Sequence, residues 1–167
     1  MSQARSSLRL MIVAGEPSGD AHAAALVNAV RDRAAAEVEF FGATGPLMRA
    51  ASVQTIVKSD ELAVMGIAEV ARVFPKFSRA FKQLNQAALE QKPDAVIMVD
   101  WPEFNLRLAK ALHPRGFKMI HYISPQLWAW RSYRVNQIRR DVDLVLAILP
   151  FEVEWFAQRG MDRVEYV

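Results

Sequence analysis

Short apolar segments alternate with helix-patterned segments along the whole chain, and this alternation limits the fold more than any other feature. Most apolar segments are hydrophobic at consecutive positions, which is typical of strands that are covered on both faces and pair in parallel. The predicted strands are Leu8–Ala14, Val38–Phe41, Thr55–Val57, Ala95–Val99, Lys118–Ile123, Leu144–Leu149 and Val164–Val167. The predicted helices span residues 20–35, 66–73, 75–91, 102–112, 132–140 and 151–159. The pattern predicts an α/β fold with a doubly wound parallel sheet.

The length of 167 residues suits one domain. The last predicted strand ends with the chain, whereas domains commonly finish on a capped helix or a polar tail, so we expect a piece of a larger protein. The absence of cysteine excludes disulfide frameworks, thiolate metal sites and cysteine nucleophiles. The three histidines have no ligand spacing with one another or with carboxylates, so the sequence predicts no metal site.

The charge is distributed unevenly along the chain. Residues 71–140 contain 13 basic and 4 acidic residues, although the whole chain carries only +3. This local excess predicts an anionic partner for the middle of the protein. The basic residues are not interleaved with aromatic residues on a recognition helix, which argues against nucleic acid as that partner.

The loop Gly15-Glu16-Pro17-Ser18-Gly19-Asp20 follows the first strand. Its glycines permit a tight turn, and the amides of the next helix favour an anion. The spacing matches neither the dinucleotide-binding fingerprint nor the P-loop. Ligand contact and a helix cap formed by Ser18 or Asp20 are both open at this point.

Asp100 directly follows the apolar segment Ala95–Val99, at the edge of the sheet where ligands bind in this class of fold. A carboxylate there suits a general base that takes the proton of an attacking hydroxyl group. Pro102 is placed for a first helical turn, so the alternative is that Asp100 caps that helix.

A third loop carries Ser124, Trp128, Trp130 and Arg131 after the strand that contains His121. Two tryptophans spaced by two residues in a loop cannot both face one core, so at least one should line a cleft or an interface. The guanidinium of Arg131 can bind phosphate in a bidentate manner, and a solvated basic helix face is the alternative. His121 is the histidine that we expect nearest the cleft.

The segment from Ala63 to Leu84 contains an apolar stripe with Phe74, Phe77 and Phe81 on one side and basic residues on the other. Packing against the core and contact with a membrane surface both produce this pattern. Pro75 is expected to break or restart the helix.

Five motifs in order together resemble the lipid-A-disaccharide synthase family. They are Gly15-Glu16-x-Ser18-Gly19-Asp20, the segment Glu61 to Val70, Asp100-x-Pro102-Glu103-Phe104-Asn105, His121 to Pro125 with Trp128-Ala129-Trp130-Arg131, and Leu149-Pro150-Phe151-Glu152. The resemblance implies that residues 1–167 are the N-terminal, acceptor-side Rossmann-like domain of a GT-B glycosyltransferase, with the C-terminal UDP-sugar domain absent from this chain.

The reaction implied by the resemblance is an inverting transfer without metal or other cofactor. It joins UDP-2,3-diacylglucosamine to 2,3-diacylglucosamine 1-phosphate and gives the lipid A disaccharide 1-phosphate and UDP. Asp100 matches the family's proposed catalytic aspartate, which deprotonates the 6-hydroxyl of the acceptor. The implied substrate-binding residues are Gly15, Glu16, Ser18, Gly19, Asp20, Met65, Gly66, Asn105, His121, Ser124, Trp128, Trp130 and Arg131.

The resemblance also implies where the protein works and with what. Phe74, Phe77 and Phe81 match a membrane-facing region, so the expected location is cytoplasmic and peripheral on the inner membrane. The expected partners are the UDP-sugar lipid donor, the phosphoglycolipid acceptor, an anionic membrane surface, the missing C-terminal domain and a second copy in a homodimer. The alternatives are a sugar-nucleotide epimerase of the same GT-B architecture and a stand-alone flavodoxin-like binding domain.

Overall fold

The computed structural model describes residues 7–62, 70–129 and 131–167, with the backbone alone for residues 70–74. Within these ranges seven strands alternate with six α-helices, which confirms the predicted α/β class. The strands are β1 (Ser7–Ala14), β2 (Glu37–Thr44), β3 (Gln54–Lys58), β4 (Ala95–Val99), β5 (Met119–Tyr122), β6 (Leu144–Ala147) and β7 (Val164–Tyr166). The helices are α1 (Pro17–Arg33), α2 (Pro46–Ala50), α3 (Val70–Gln91), α4 (Pro102–Leu112), α5 (Val135–Asp141) and α6 (Pro150–Ala157).

All strand pairs are parallel, and the order in the sheet is β3-β2-β1-β4-β5-β6-β7. The order runs in one direction from β1 to β3 and in the other from β4 to β7, so the sheet is doubly wound. One core cluster joins the sheet to α1 and α2, and a second joins its other face to α3, α4, α5 and α6. Covering both faces explains why the central strands are continuously apolar.

Two features of the helices differ from the prediction. Helix α2 was not predicted, because it has only five residues and no amphipathic period can be recognised over one turn. The predicted break at Pro75 is wrong, since α3 continues through it. Pro75 removes one backbone hydrogen bond near the start of a 22-residue helix, and packing of the rest of α3 on the sheet offsets that loss.

Candidate functional site

The reversal of strand order lies between β1 and β4, and the candidate site is at the carboxyl ends of these two strands. Ala14 of β1 is in register with Val99 of β4, so Gly15 and Asp100 leave the sheet side by side. Helix α1 then covers one face and α4 the other. Such a divergence opens a crevice at the sheet edge, and ligands bind there in open α/β sheets.

Asp100 and Trp101 form a strained turn between β4 and α4. Both have left-handed backbone conformations, with φ of 48° and 47°. This conformation is uncommon for residues other than glycine and must be enforced most strongly for a bulky residue such as tryptophan, and strained residues cluster at functional sites. The enforcement is visible here: the Asp100 amide donates to the Tyr122 carbonyl at 3.0 Å, and the Asn105 side-chain amide donates to the Asp100 carbonyl at 2.7 Å.

The Asp100 carboxylate does not cap helix α4. Trp101 is the N-cap residue of α4, and its side chain makes no capping hydrogen bond. Among residues 7–62, 70–129 and 131–167, no donor forms a hydrogen bond to the Asp100 carboxylate, which is half-buried at the mouth of the crevice. Of the two interpretations of Asp100, the structure removes the cap and leaves a carboxylate available to a ligand.

Trp101 is the centre of an aromatic cluster beside this turn. Its indole stacks on Phe104 with ring centroids 4.2 Å apart, and Phe77 of α3 lies 5.5 Å from it. Phe81 contacts Phe104 at 6.0 Å. Phe77 and Phe81 are half-buried and pack against the core, and contact of these rings with a membrane stays a prediction. The cause is tertiary: the left-handed turn places the indole under the apolar face of α3.

The loop after β1 divides into exposed and buried residues. Glu16 and Ser18 are exposed at the start of α1, and the side chain of the N-cap residue Glu16 makes no capping hydrogen bond. Gly15 and Gly19 are buried, and a Cβ on Gly15 would overlap the Trp101 indole. Glu16 and Ser18 are thus free to contact a ligand, whereas the two glycines shape the backbone.

The Asp20 carboxylate is buried and bound to the start of helix α2. Its side chain is only 3% exposed, and its two oxygens accept hydrogen bonds from the amides of Gly45, Leu47 and Met48 at 2.8–3.1 Å. These amides belong to the first turn of α2 and the residue before it. Asp20 caps α2, an element far from it in sequence, and not its own helix.

The loop after β5 is tied to helix α6 by a buried carboxylate that was not among the predicted site residues. One oxygen of Glu152 accepts hydrogen bonds from the Ser124 hydroxyl at 2.7 Å and the Trp128 indole at 3.2 Å. Glu152 is 1% exposed and Ser124 is also buried, whereas Trp128 is 41% exposed. Trp128 is the member of this group that can meet a ligand. The sequence signal for Glu152 was the Pro-Phe-Glu segment, in which this residue follows a strand and lies in the first turn of a helix.

His121 and Asn105 are fully buried, so neither contacts a ligand directly in this structure. Burial lowers the pKa of His121 to about 4, with a smaller opposing effect of the Ile123 backbone, so the ring is neutral at pH 7. Asn105 holds the backbone of Val99 and Asp100. One lies in a covered strand and the other faces the sheet from α4, and substrate binding by either residue stays a prediction.

Arg131 and Arg134 converge on Glu103 in the first turn of α4. Arg134 binds both carboxylate oxygens, at 2.8 and 3.0 Å, and Arg131 binds one of them. The hydrogen bond from Arg134 is the main cause that holds the pKa of Glu103 below its usual range. These contacts link the loop after β5 to the helix that begins two residues after Asp100.

Met65, Gly66 and Trp130 lie outside the described residues, as does the side chain of Phe74. In the described part of the chain, no group of three or more His, Asp or Glu side chains could hold a metal ion. No helix within the described ranges is long and apolar enough to span a bilayer.

Residues 10–167 match the family model described as Lipid-A-disaccharide synthetase. The chain is 48% identical over 153 residues to a lipid-A-disaccharide synthase of Trichlorobacter lovleyi, covering 92% of this chain and 40% of that protein. The chain thus spans about 40% of the length of this curated relative.

Solved structures share the fold at low identity. A UDP-N-acetylglucosamine 2-epimerase superposes with a TM-score of 0.67 at 13% identity, over 95% of this chain and 47% of the epimerase chain. The calicheamicin glycosyltransferase superposes with a TM-score of 0.52 at 15% identity, over 100% of this chain and 53% of its own. At such identities the likeness concerns the fold alone.

Proposed function

The chain belongs to the lipid-A-disaccharide synthetase family, and from that membership we propose that it is the acceptor-side part of an inverting lipid glycosyltransferase. The proposed reaction joins UDP-2,3-diacylglucosamine to 2,3-diacylglucosamine 1-phosphate and releases UDP. Because the relatives are much longer than this chain, we assign the UDP-sugar to a C-terminal domain that follows these residues in the whole protein. The epimerase alternative is supported by likeness of fold alone.

The observation that carries the proposal is the Asp100 carboxylate at the reversal of strand order. It is half-buried, has no donor among the described residues and stands on a turn that Asn105 holds in place. In the proposed step, Asp100 accepts the proton of the acceptor 6-hydroxyl group while the oxygen of that hydroxyl attacks the anomeric carbon of the donor. The bond from that carbon to the UDP oxygen breaks, UDP leaves with the bonding electron pair, and the configuration inverts. General-base catalysis of this kind contributes about 10²–10⁴ in rate.

Exposed residues around Asp100 supply the proposed acceptor contacts. Glu16 and Ser18 lie at the start of α1, next to the turn, and can accept or donate hydrogen bonds to sugar hydroxyls. Trp128, in the loop after β5, offers an exposed aromatic surface. Met65, Gly66 and Trp130 stay in the proposal on the resemblance of their motifs.

We assign peripheral attachment to an anionic membrane to the cationic side of α3. Lys76, Arg79 and Lys82 are exposed there. Basic side chains near an anionic surface each contribute about 1 kcal/mol of attraction, which salt screens. Phe77 and Phe81 add little to this surface because they pack against Trp101 and Phe104.

The proposed role of Asp100 is tested in a chimera in which this chain replaces the matching N-terminal part of the Trichlorobacter lovleyi relative. Asp100→Asn keeps the size of the side chain but cannot accept the proton, so we expect kcat to fall about 10²–10⁴-fold. The melting temperature should stay unchanged, because the carboxylate has no hydrogen bond in the described structure. Formation of disaccharide from radiolabelled acceptor is the measurement.

Asp32→Asn is the matched control for this experiment. Asp32 is an exposed carboxylate on α1, so its change should leave turnover as in the parent chimera. Equal turnover in the Asp100→Asn and Asp32→Asn chimeras would remove Asp100 as the general base. Release of monosaccharide epimers without disaccharide would favour the epimerase.

A further inference from the structure

The cluster formed by Glu103, Arg131 and Arg134 differs in stoichiometry from the other ion pairs of the molecule. Elsewhere in the described ranges, each ion pair of an arginine joins one guanidinium group to one carboxylate, as in Arg9 with Glu39 and Arg49 with Asp60. At Glu103 two guanidinium groups share one carboxylate. The cluster therefore keeps one uncompensated positive charge.

A third arginine adds to this charge. Arg107 follows Glu103 by four residues on α4, so both lie on the same side of the helix. Arg107 is exposed and has no acidic partner among the described residues. The surface around Glu103 thus carries three arginines and one carboxylate, an arrangement that attracts a second anion.

The cluster is accessible and lies beside the candidate site. Glu103 is three residues from Asp100, in the first turn of the helix that the Asp100–Trp101 turn begins. The side chains of Glu103 and Arg131 are 58% and 54% exposed, and that of Arg134 is 18% exposed. Arg131 has a left-handed backbone with φ of 55°, a conformation that residues other than glycine adopt only under constraint. The Arg134 guanidinium is mostly buried and binds both oxygens of Glu103, whereas the Arg131 guanidinium is exposed to solvent.

We propose that this cluster binds a phosphate monoester. On binding, Arg131 exchanges its ion pair with Glu103 for one with the phosphate, while Arg134 remains paired with the Glu103 carboxylate. A phosphate dianion matches the planar fork of Arg131 in bidentate geometry and balances the excess charge of Arg131 and Arg107. In the free protein, Glu103 holds the two guanidinium groups side by side and so reduces their mutual repulsion. The inference rests on the proposed function in one respect, namely that the phosphate is that of a sugar acceptor.

The first experiment titrates glucosamine 1-phosphate into the 167-residue chain and follows binding by calorimetry. Arg131→Gln removes the fork, so we expect at least about a tenfold weaker Kd, in line with charge-assisted hydrogen bonds. Glu103→Gln removes the competing carboxylate, so we expect Kd to become several-fold tighter. Arg139→Gln is the matched control, because Arg139 is exposed but binds Asn136 and the Arg159 carbonyl at the far end of α5. Equal loss of affinity in Arg131→Gln and Arg139→Gln would overturn the site.

Arg131→Lys covers the case in which Arg131→Gln fails to fold. Lysine keeps the charge without the planar fork, so an intermediate loss of affinity supports bidentate binding, and affinity equal to that of the parent contradicts it. Circular dichroism melting establishes which of the two variants is folded, and the Kd of a folded variant is the one compared with the parent.

A second arm separates a sugar phosphate from a lipid headgroup. The probe in this arm is a vesicle of phosphatidylcholine with about 30% phosphatidylglycerol, which presents an anionic surface. Loss of vesicle binding in Arg131→Gln with unchanged glucosamine 1-phosphate affinity would overturn the assignment to a sugar phosphate. The chimera with Asp100→Asn reports on the transfer reaction separately, so a failed phosphate site and a failed proposed function are distinguishable.

Discussion

Gly15 is the residue whose lack of a side chain matters most to the candidate site. The Trp101 indole occupies the space that a Cβ would need, so the packing of the aromatic cluster depends on glycine at this position. Gly19, four residues later in α1, has no comparable restriction, since its nearest neighbour to an added Cβ is Ala14 at 3.5 Å. The two glycines of one motif therefore serve different ends.

This difference predicts opposite effects of the same change. Gly15→Ala should destabilise the protein by about 1–3 kcal/mol, because an inserted methyl group must displace the indole. Gly19→Ala should be neutral or up to about 1 kcal/mol more stable, because alanine favours a helix. Urea unfolding gives both values, and near-ultraviolet circular dichroism should report movement of Trp101 in Gly15→Ala alone. Equal stability of the two variants would contradict the packing argument.

At the scale of the element, α3 shows how an amphipathic stripe is divided between uses. Leu84, Ala87 and Ala88 are buried against the sheet, and Phe77 joins the aromatic cluster. Lys76, Arg79 and Lys82 remain exposed on the other side. A stripe alone cannot distinguish core packing from lipid contact, because both need the same period.

Phe77→Ala should therefore lower the free energy of unfolding. A fully buried phenylalanine contributes about 3–5 kcal/mol over alanine, and the half-buried Phe77 should contribute about 2 kcal/mol. Leu89→Ala, at a position 40% exposed on the same helix, should change stability by less than about 0.5 kcal/mol. Urea unfolding of both variants is the measurement. An unchanged free energy of unfolding in Phe77→Ala would contradict the packing of this ring against the core.

At the scale of the whole molecule, the covered sheet buries the His121 ring completely. Its pKa is lowered to about 4 by burial, against about 6.5 in an unfolded chain. Between these two values the unfolded state binds a proton that the folded state does not. Folding stability is therefore complete above pH 6.5 and falls as the pH drops toward 4.

His121→Leu removes this titration. Between pH 7 and pH 4 the parent should lose about 3 kcal/mol more stability than the variant, from 1.36 kcal/mol per unit of pKa shift. Urea unfolding at several pH values measures the two slopes. Parallel slopes would mean that His121 is protonated within the folded protein.

The sequence located those residues of the candidate site that directly follow a predicted strand. Asp100 and Gly15 each follow a continuous apolar strand, and parallel strands end at one edge, so their proximity was predictable. Asp20 shows the limit: its residue type predicts a cap, but the helix that it caps begins 26 residues later. Glu152 and Ser124 lie 28 residues apart, and nothing local marks that they meet.

The sequence by itself determined the class of fold, because hydrophobic periodicity and length restrict each segment to one kind of element whose faces must be covered. It also determined that Asp100 follows a strand, at the edge of the sheet where ligands bind in this class of fold. Tertiary structure decided the rest: that Phe77 packs on Trp101, that His121 and Asn105 are buried, and that two arginines share Glu103. These outcomes depend on contacts between segments far apart in the chain, and local propensity carries no information about which distant side chain fills a given space.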